Sequence, residues 1–266
     1  MLSESEIQTA AADILAAETA RSQTGLLSAK YPEITLDDAY AIQKAQIDRK
    51  LASGRKIIGW KIGLTSKVMQ QALDIDTPDS GVLYDDMLFE SGGTVPAGRF
   101  IQPRVECEIA FLMRRALEGD VTREDVLAAT EAVIPSLEIL DTRIVRKDQA
   151  SGKTRKIFDT VADNAANAGI VLAPQRHAPE AFGLRWVGAI VRRNGDVEAT
   201  GLGAGVLDDP VMGLVWLARR MSAYGQRIEA GQVVLSGSFI APIECPPGTR
   251  IDADFGTFGA VSIDFE

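Results

Sequence analysis

The chain has 266 residues, of which 46% are hydrophobic, and its formal net charge at pH 7 is −9. A hydrophobic fraction of this size supports a substantial buried core, so the composition excludes an intrinsically disordered chain. The acidic balance argues against a nucleic-acid partner, because proteins bind phosphate backbones through concentrated lysine and arginine. A small anionic substrate stays compatible with it if positive charge is placed locally.

Sequence features also bear on the compartment. No apolar run approaches the roughly 20 residues of a membrane span, and no basic segment followed by an apolar core begins the chain. Cys107 and Cys245 are too few and too widely spaced for a disulfide framework or a thiolate zinc site. We therefore expect a cytoplasmic protein with reduced cysteines and no membrane partner.

The first 55 residues have the pattern of two helices. Ser3 or Ser5 can cap the first helix, which carries one apolar stripe. Thr35, with an aspartate three residues later, marks the start of the second helix. We predict a helical N-terminal extension over residues 1–55 and a catalytic domain over residues 56–266.

Beyond residue 56, short apolar runs alternate with glycine and proline, which is typical of strands. Helical spacing interrupts the runs twice, over 124–133 and from Val211 to a point before Gly225. Because strands and helices do not alternate strictly, the pattern favours an α+β fold over a doubly wound sheet. The predicted strands cover 57–62, 82–83, 105–113, 134–140, 186–191, 233–235 and 261–265.

Three carboxylates lie within apolar runs. Glu106 and Glu108 are two residues apart in one run, and Glu138 is at the centre of another. Alternate side chains of a strand share a face, and buried carboxylates on one face repel each other unless a cation lies between them. Oxygen ligands alone suit Mg²⁺, Mn²⁺ or Ca²⁺. The alternative is that Glu106 and Glu108 line the solvent-exposed face of an edge strand.

Lys61 and Asp79 are the candidates for proton transfer. Lys61 lies in an apolar strand, where desolvation would lower its pKa or a bound anion would hold it charged. Asp79 occupies a predicted turn before the next strand, and its alternative is ordinary turn chemistry.

Three other features receive non-catalytic interpretations. His177, the only histidine, is predicted to lie in an exposed loop without a catalytic partner. The glycines of residues 201–205 lack the context of a nucleotide-binding loop and predict a flexible turn. The basic residues of 143–156 predict a solvated loop, or alternatively a cationic lid near Glu138.

Six ordered segments resemble the hydratase and decarboxylase branch of the fumarylacetoacetate hydrolase superfamily. The segments are Gly59–Ser66, Pro78–Gly81, Pro103–Glu108, Val133–Glu138, Val161–Ala165 and Leu235–Ser238. The resemblance runs through nearly the whole chain and implies a mixed, strand-rich β-roll with an N-terminal helical part, in a homo-oligomer.

The resemblance also implies the site. Members of this branch bind Mg²⁺ or Mn²⁺ through glutamates and use a lysine and an aspartate for acid/base and substrate-orienting roles. In this chain the metal ligands would be Glu106, Glu108 and Glu138, the catalytic pair Lys61 and Asp79, and the substrate-binding residues Leu64, Thr65, Ser236 and Gly237.

The implied activity belongs to meta-cleavage degradation of aromatic compounds. We expect a hydratase that converts a 2-hydroxy-2,4-dienoate, such as 2-oxohept-4-ene-1,7-dioate or a related dienoate, to a 4-hydroxy-2-oxo acid. One alternative is decarboxylation of 4-oxalocrotonate at the same metal-stabilised site. Another is a non-catalytic partner of the pathway decarboxylase, with which a hydratase could also form a complex.

Two departures from the branch bear on the substrate pocket. Ile240 and Ala241 stand where these hydratases have threonine and arginine. If that arginine binds the distal carboxylate, its absence argues against a dicarboxylate substrate. Trp60 and Ser80 stand where histidine and tyrosine are expected, which indicates a reshaped pocket.

Overall fold

The structure, a computed structural model, describes residues 1–72, 75 and 77–266, with the side chains of residues 68, 69 and 72 excepted. No helix within these residues is both long and apolar enough to cross a membrane.

Helices form the N-terminal part, as predicted. They are α1 (Glu4–Ala20), α2 (Leu27–Lys30) and α3 (Leu36–Ala52). Ser3 and Thr35 cap α1 and α3, each in a capping box that satisfies backbone N–H groups otherwise without partners at a helix start. Ser3, rather than Ser5, is therefore the cap of the first helix.

The N-terminal helices share a hydrophobic core with a later segment. Ile14 and Ile42, from α1 and α3, pack in one buried cluster with Ile144, Val161 and Ala162. The latter two residues belong to α6 (Ile157–Ala162). The division at residue 55 stays a prediction, because this core draws on both sides of it.

Two mixed sheets form the rest of the described fold, which confirms the α+β prediction. The larger sheet has the order β2-β1-β10-β5-β6-β7-β3, with β11 on the end of β5. Its strands are β1 (Ile57–Gly63), β2 (Asp79–Tyr84), β3 (Leu88–Glu90), β5 (Arg104–Met113), β6 (Thr130–Leu140), β7 (Asn167–Leu172), β10 (Val233–Leu235) and β11 (Ile243–Glu244). The smaller sheet, ordered β4-β13-β12-β8-β9, comprises β4 (Gly93–Val95), β8 (Gly188–Arg193), β9 (Asp196–Leu202), β12 (Arg250–Asp254) and β13 (Ala260–Phe265).

Three further helices connect the strands. They are α4 (Lys67–Ala72), α5 (Arg123–Ala129) and α7 (Val211–Ala223). The predicted helix over 124–133 is wrong beyond Ala129, because β6 begins at Thr130 and pairs with β5. Thr130, Val133 and Ile134 are β-branched, and such side chains pack well on the pleated surface of a sheet. Trp186, predicted to start a strand, instead lies in a 3₁₀ turn before β8.

The basic stretch 143–156 divides into two parts. Lys147, Lys153 and Lys156 are exposed, as a solvated loop predicts. Arg143 is buried and Arg155 is partly buried, and both bind the fully buried carboxylate of Asp163. Asp163 also accepts the backbone N–H groups of Arg143 and of the following residue. These two arginines therefore tie the loop to the core and do not form a cationic lid.

Asp163→Ala should lower the free energy of unfolding by about 3–5 kcal/mol, because it leaves two guanidinium groups without their buried anion. Denaturant titration measures this change. The matched control is Asp48→Ala, whose carboxylate forms an exposed ion pair with Lys44 and should contribute less than about 1 kcal/mol. Equal effects for the two variants would contradict a structural role for Asp163.

Candidate metal centre and active-site cavity

Strand pairing brings the three glutamates together. Glu106 of β5 lies directly opposite Glu138 of β6, and Glu108 is two residues further along the same face of β5. One carboxylate oxygen from each residue lies within 4.8 Å of the other two. Glu108 and Glu138 are fully buried and Glu106 is partly buried. Because β5 is central between β10 and β6, the alternative of an exposed edge strand is wrong.

The fixed groups around the cluster leave two oxygens without partners. The Oε1 atom of Glu138 accepts a hydrogen bond from Asn167 Nδ2 at 2.7 Å, and Glu108 Oε2 accepts one from the backbone N–H of Gly237 at 2.7 Å. Among the described residues, Glu108 Oε1 and Glu138 Oε2 are buried without a hydrogen bond. Unpaired buried carboxylate oxygens are costly unless a cation binds them, so this oxygen set fits a hard divalent ion.

The closeness of the three carboxylates also raises the pKa values of Glu106 and Glu108. Burial and the neighbouring charge of Glu138 raise the pKa of Glu106 to about 7. Burial, with Glu138 and Glu106 nearby, raises the pKa of Glu108 well above its ordinary value. A bound cation favours the charged carboxylates that this environment otherwise disfavours.

Lys61 is the positive group nearest to the cluster within the described chain. Its Nζ atom lies 3.3 Å from Glu138 Oε1 and donates to the carbonyl oxygen of Ala165 at 3.1 Å. Burial lowers the pKa of Lys61, but Glu138, Asp79 and the other glutamates together outweigh burial and raise it. Of the two alternatives for Lys61, this environment favours the charged ammonium group over a desolvated neutral amine.

Asp79 lies beside Lys61 because β1 and β2 pair antiparallel, with Gly63 opposite Asp79. A Cβ atom on Gly63 would overlap Asp79 Oδ1 and would lie 2.8 Å from Lys61 Nζ, so glycine makes room for both groups. Asp79 is buried and its Oδ1 atom has no partner among the described residues. Burial raises the pKa of Asp79, and Lys61 opposes the rise.

A cavity of about 510 Å³ opens onto these groups. Lys61, Asp79 and Glu106 line it, together with Leu64 and Thr65. Other lining residues, which bear on its polarity and shape, are Arg104, Leu140, Thr160, Ala165, Ala166, Thr200, Ser238, Phe239, Ile240, Ala241 and Pro242. The cavity thus combines Glu106 of the carboxylate cluster with Lys61 and Asp79 in one space.

Ser236 and Gly237, predicted as substrate-binding residues, do not line the cavity wall. Ser236 is fully buried, and its Oγ atom lacks a partner among the described residues. Gly237 has a φ of 116°, and a Cβ atom there would overlap Thr65. Together with its hydrogen bond to Glu108, this places Gly237 behind the carboxylate cluster.

A left-handed turn completes the wall and was not predicted. Asn164, Ala165 and Ala166 have φ angles of 50°, 51° and 61°, which are unfavourable for alanine. The Asn164 side chain binds the backbone of Val82 in β2 through both its oxygen, at 2.8 Å, and its nitrogen, at 3.0 Å. These bonds hold the turn so that the Ala165 carbonyl meets Lys61. Asn164 stands within the Val161–Ala165 segment, which was a motif without an assigned role.

Trp60 and Ser80 lie on the reverse side of the sheet. Side chains alternate along β1 and β2, so these residues point away from Lys61 and Asp79. They line a separate groove of about 510 Å³ against α3 and α7, and Trp60 Nε1 donates to Gln232. The predicted reshaping of the substrate pocket by these two residues is therefore wrong. Ile240 and Ala241 do line the cavity.

His177 is not an exposed loop residue. It is partly buried, and its ring packs against Phe182 and Phe258. Its Nε2 atom is 2.8 Å from the carbonyl oxygen of Phe258. It does not line the cavity, so its role is structural. Within the predicted glycine turn, Gly201 belongs to β9, whereas Gly203–Gly205 form a 3₁₀ turn.

Comparison with known proteins gives full-length similarities. No protein-family model matches the chain. The chain is 45% identical over 250 residues to a 2-oxo-hept-4-ene-1,7-dioate hydratase of Escherichia coli. The alignment covers 94% of each chain. It is 40% identical over 237 residues to a 2-keto-4-pentenoate hydratase of Paraburkholderia xenovorans, covering 89% of this chain and 86% of the relative. The fold matches 4-oxalocrotonate decarboxylase from Pseudomonas putida G7, complexed with magnesium and adipate, with a TM-score of 0.94, 31% identity and coverage of 100% and 99%.

Glu106→Gln should weaken Mg²⁺ binding at least about 10-fold, because it removes one of three converging negative charges, while the partly buried position lets the fold persist. Isothermal titration calorimetry measures the affinity, and circular dichroism checks the fold. Glu131→Gln is the matched control, since Glu131 is an exposed residue of β6. Unchanged Mg²⁺ affinity in Glu106→Gln would show that the cluster is not the metal site.

Proposed function

The chain belongs to the hydratase family within the fumarylacetoacetate hydrolase superfamily, and from this premise we propose that it is a Mg²⁺-dependent lyase of meta-cleavage aromatic degradation. Its reaction adds water to a 2-hydroxy-2,4-dienoate to give a 4-hydroxy-2-oxo acid. The observation that carries the proposal is the cavity in which Lys61 and Asp79 lie beside the three-glutamate cluster.

Glu106, Glu108 and Glu138 would hold the ion, with Mn²⁺ as an alternative to Mg²⁺. Their two unpartnered buried oxygens support this assignment. A bound divalent ion supplies Lewis-acid stabilisation of negative charge on the 2-oxo oxygen of the substrate.

Lys61 binds the substrate carboxylate or the developing oxyanion. Its raised pKa supports this role, because the ammonium group stays charged at neutral pH. The Ala165 carbonyl and Glu138 fix its position. Leu64 and Thr65 shape the cavity wall, and Gly237 donates its backbone N–H to Glu108 of the cluster.

Asp79 acts on the water molecule. In the first step the dienol ketonises, with protonation at C5, to the α,β-unsaturated ketone. In the second step water adds at C4 while C3 takes a proton, and Asp79 serves as the base or positioning group for that water. Its buried Oδ1 atom, which has no hydrogen-bond partner among the described residues, can accept the water proton.

Decarboxylation of 4-oxalocrotonate is the second candidate function. The fold similarity to a decarboxylase supports it, and stabilisation of an enolate serves both reactions. The higher identity to the hydratases favours hydration. We also propose that the protein is a cytoplasmic homo-oligomer and that it forms a complex with a pathway decarboxylase.

Incubation of the isolated protein with Mg²⁺ should remove the absorbance of 2-hydroxypenta-2,4-dienoate or of its heptadienedioate homologue, with no carbon dioxide released from 4-oxalocrotonate. Chelation with EDTA should abolish the reaction, and added Mg²⁺ should restore it. Gas release without hydration would favour the decarboxylase, and no turnover of any of these compounds would favour a non-catalytic partner.

Asp79→Asn should lower kcat by about 10²–10⁴-fold, the usual contribution of a general base, with a smaller change in KM. Steady-state kinetics on the preferred dienoate measure both constants. The control is Ser80→Ala, next in sequence but facing the groove on the other side of the sheet. An Asp79→Asn enzyme with the activity of the unmodified protein would eliminate this role.

A further inference from the structure

Among the described residues, one arginine of the catalytic cavity has no ion-pair partner. Arg104, the first residue of β5, lines the cavity. Its Nε atom is buried without a hydrogen bond, and the guanidinium forms no ion pair among the described residues. The neighbouring arginines differ, because Arg146 pairs with Glu244 and Arg143 binds Asp163.

Within the described residues, Arg104 forms no ion pair with the three glutamates, but it is on the same side of the strand as Glu106. Arg104 is two positions before Glu106, so alternation places both side chains on one face, with their Cα atoms about 7 Å apart. Leu140 is opposite Arg104 in β6, and Ile240 and Ala241 complete this part of the wall. Arg104 therefore adds a positive charge to the cavity wall beyond Glu106, opposite the apolar side chain of Leu140.

A guanidinium in this setting is suited to bind a carboxylate. Arginine cannot lose its proton in proteins, so Arg104 stays charged while its buried Nε atom is removed from water. A planar carboxylate can accept two parallel N–H bonds from it, and such charge-assisted pairs strengthen where water is excluded.

We propose that Arg104 binds the substrate carboxylate farthest from the metal cluster, so that the preferred substrate is a dicarboxylate. The inference rests on the proposed function and names the substrate class for that site. It also assigns distal recognition to a different position from Ala241, where the resemblance led us to expect an arginine. The missing arginine therefore does not exclude a dicarboxylate.

The test compares two substrates in three variants. Arg104→Met preserves length and removes charge, Arg104→Lys preserves charge without the two-pronged geometry, and Arg146→Met is a control outside the cavity wall. For 2-oxohept-4-ene-1,7-dioate, Arg104→Met should lower kcat/KM about 30- to 100-fold, mainly through KM, as for a lost hydrogen bond to a charged group. Arg104→Lys should lower it less.

For 2-hydroxypenta-2,4-dienoate, which has one carboxylate, Arg104→Met should change kcat/KM less than about 3-fold. Arg146→Met should change neither substrate. Equal losses for both substrates in Arg104→Met, or no loss for either, would overturn the inference.

A binding measurement separates this inference from the proposed function. With Mg²⁺ present, calorimetry should show that adipate binds the unmodified protein more tightly than hexanoate, and that Arg104→Met removes the difference. If the unmodified protein hydrates neither dienoate, the proposed function fails, but this binding comparison still decides the role of Arg104. Equal affinity for adipate and hexanoate in the unmodified protein would reject that role.

Discussion

Electrostatic repulsion among three buried glutamates is the constraint on which the rest of the site depends. Glu106, Glu108 and Glu138 converge where β5 and β6 pair, and no fold tolerates that much buried negative charge without compensation. Lys61, the Asn167 amide and the Gly237 N–H satisfy part of it. Two further oxygens have no partner among the described residues and would bind an ion, so metal affinity follows from charges that the protein leaves incompletely paired.

Strained backbone supports this arrangement from one side. Three consecutive left-handed residues, Asn164–Ala166, cost conformational energy that only the surrounding structure can offset. The Asn164 amide binds β2, the strand of Asp79, while the Ala165 carbonyl binds Lys61. The turn therefore couples the positions of the two groups to which we assign proton transfer and anion binding. This run of three left-handed residues lies where side-chain placement matters for chemistry.

The two faces of each strand in the site lie in different environments. Along β1 and β2, Lys61 and Asp79 face the cavity, whereas Trp60 and Ser80 face a groove against α3 and α7. Along β5, Arg104, Glu106 and Glu108 face the site while Cys107 and Ile109 are buried in the core. Substitutions at neighbouring positions can therefore change core or surface packing without entering the cavity. Departures from relatives need to be located on a face before they are read as changes in specificity.

Local sequence patterns determined the helix starts, the shared face of two site residues and the fold class of this protein. Spacing within one strand predicted that Glu106 and Glu108 share a face, capping residues marked α1 and α3, and apolar runs indicated an α+β fold. Side-chain alternation and helix capping depend only on neighbouring residues, so the amino-acid order specifies them. Contacts between distant residues decided the rest: Glu138 opposite Glu106, the end of α5 at Ala129, the raised pKa of Lys61, and an Arg104 with no ion pair among the described residues. Register, burial and the charges brought near each group arise from residues distant in the chain, and only the tertiary structure brings them together.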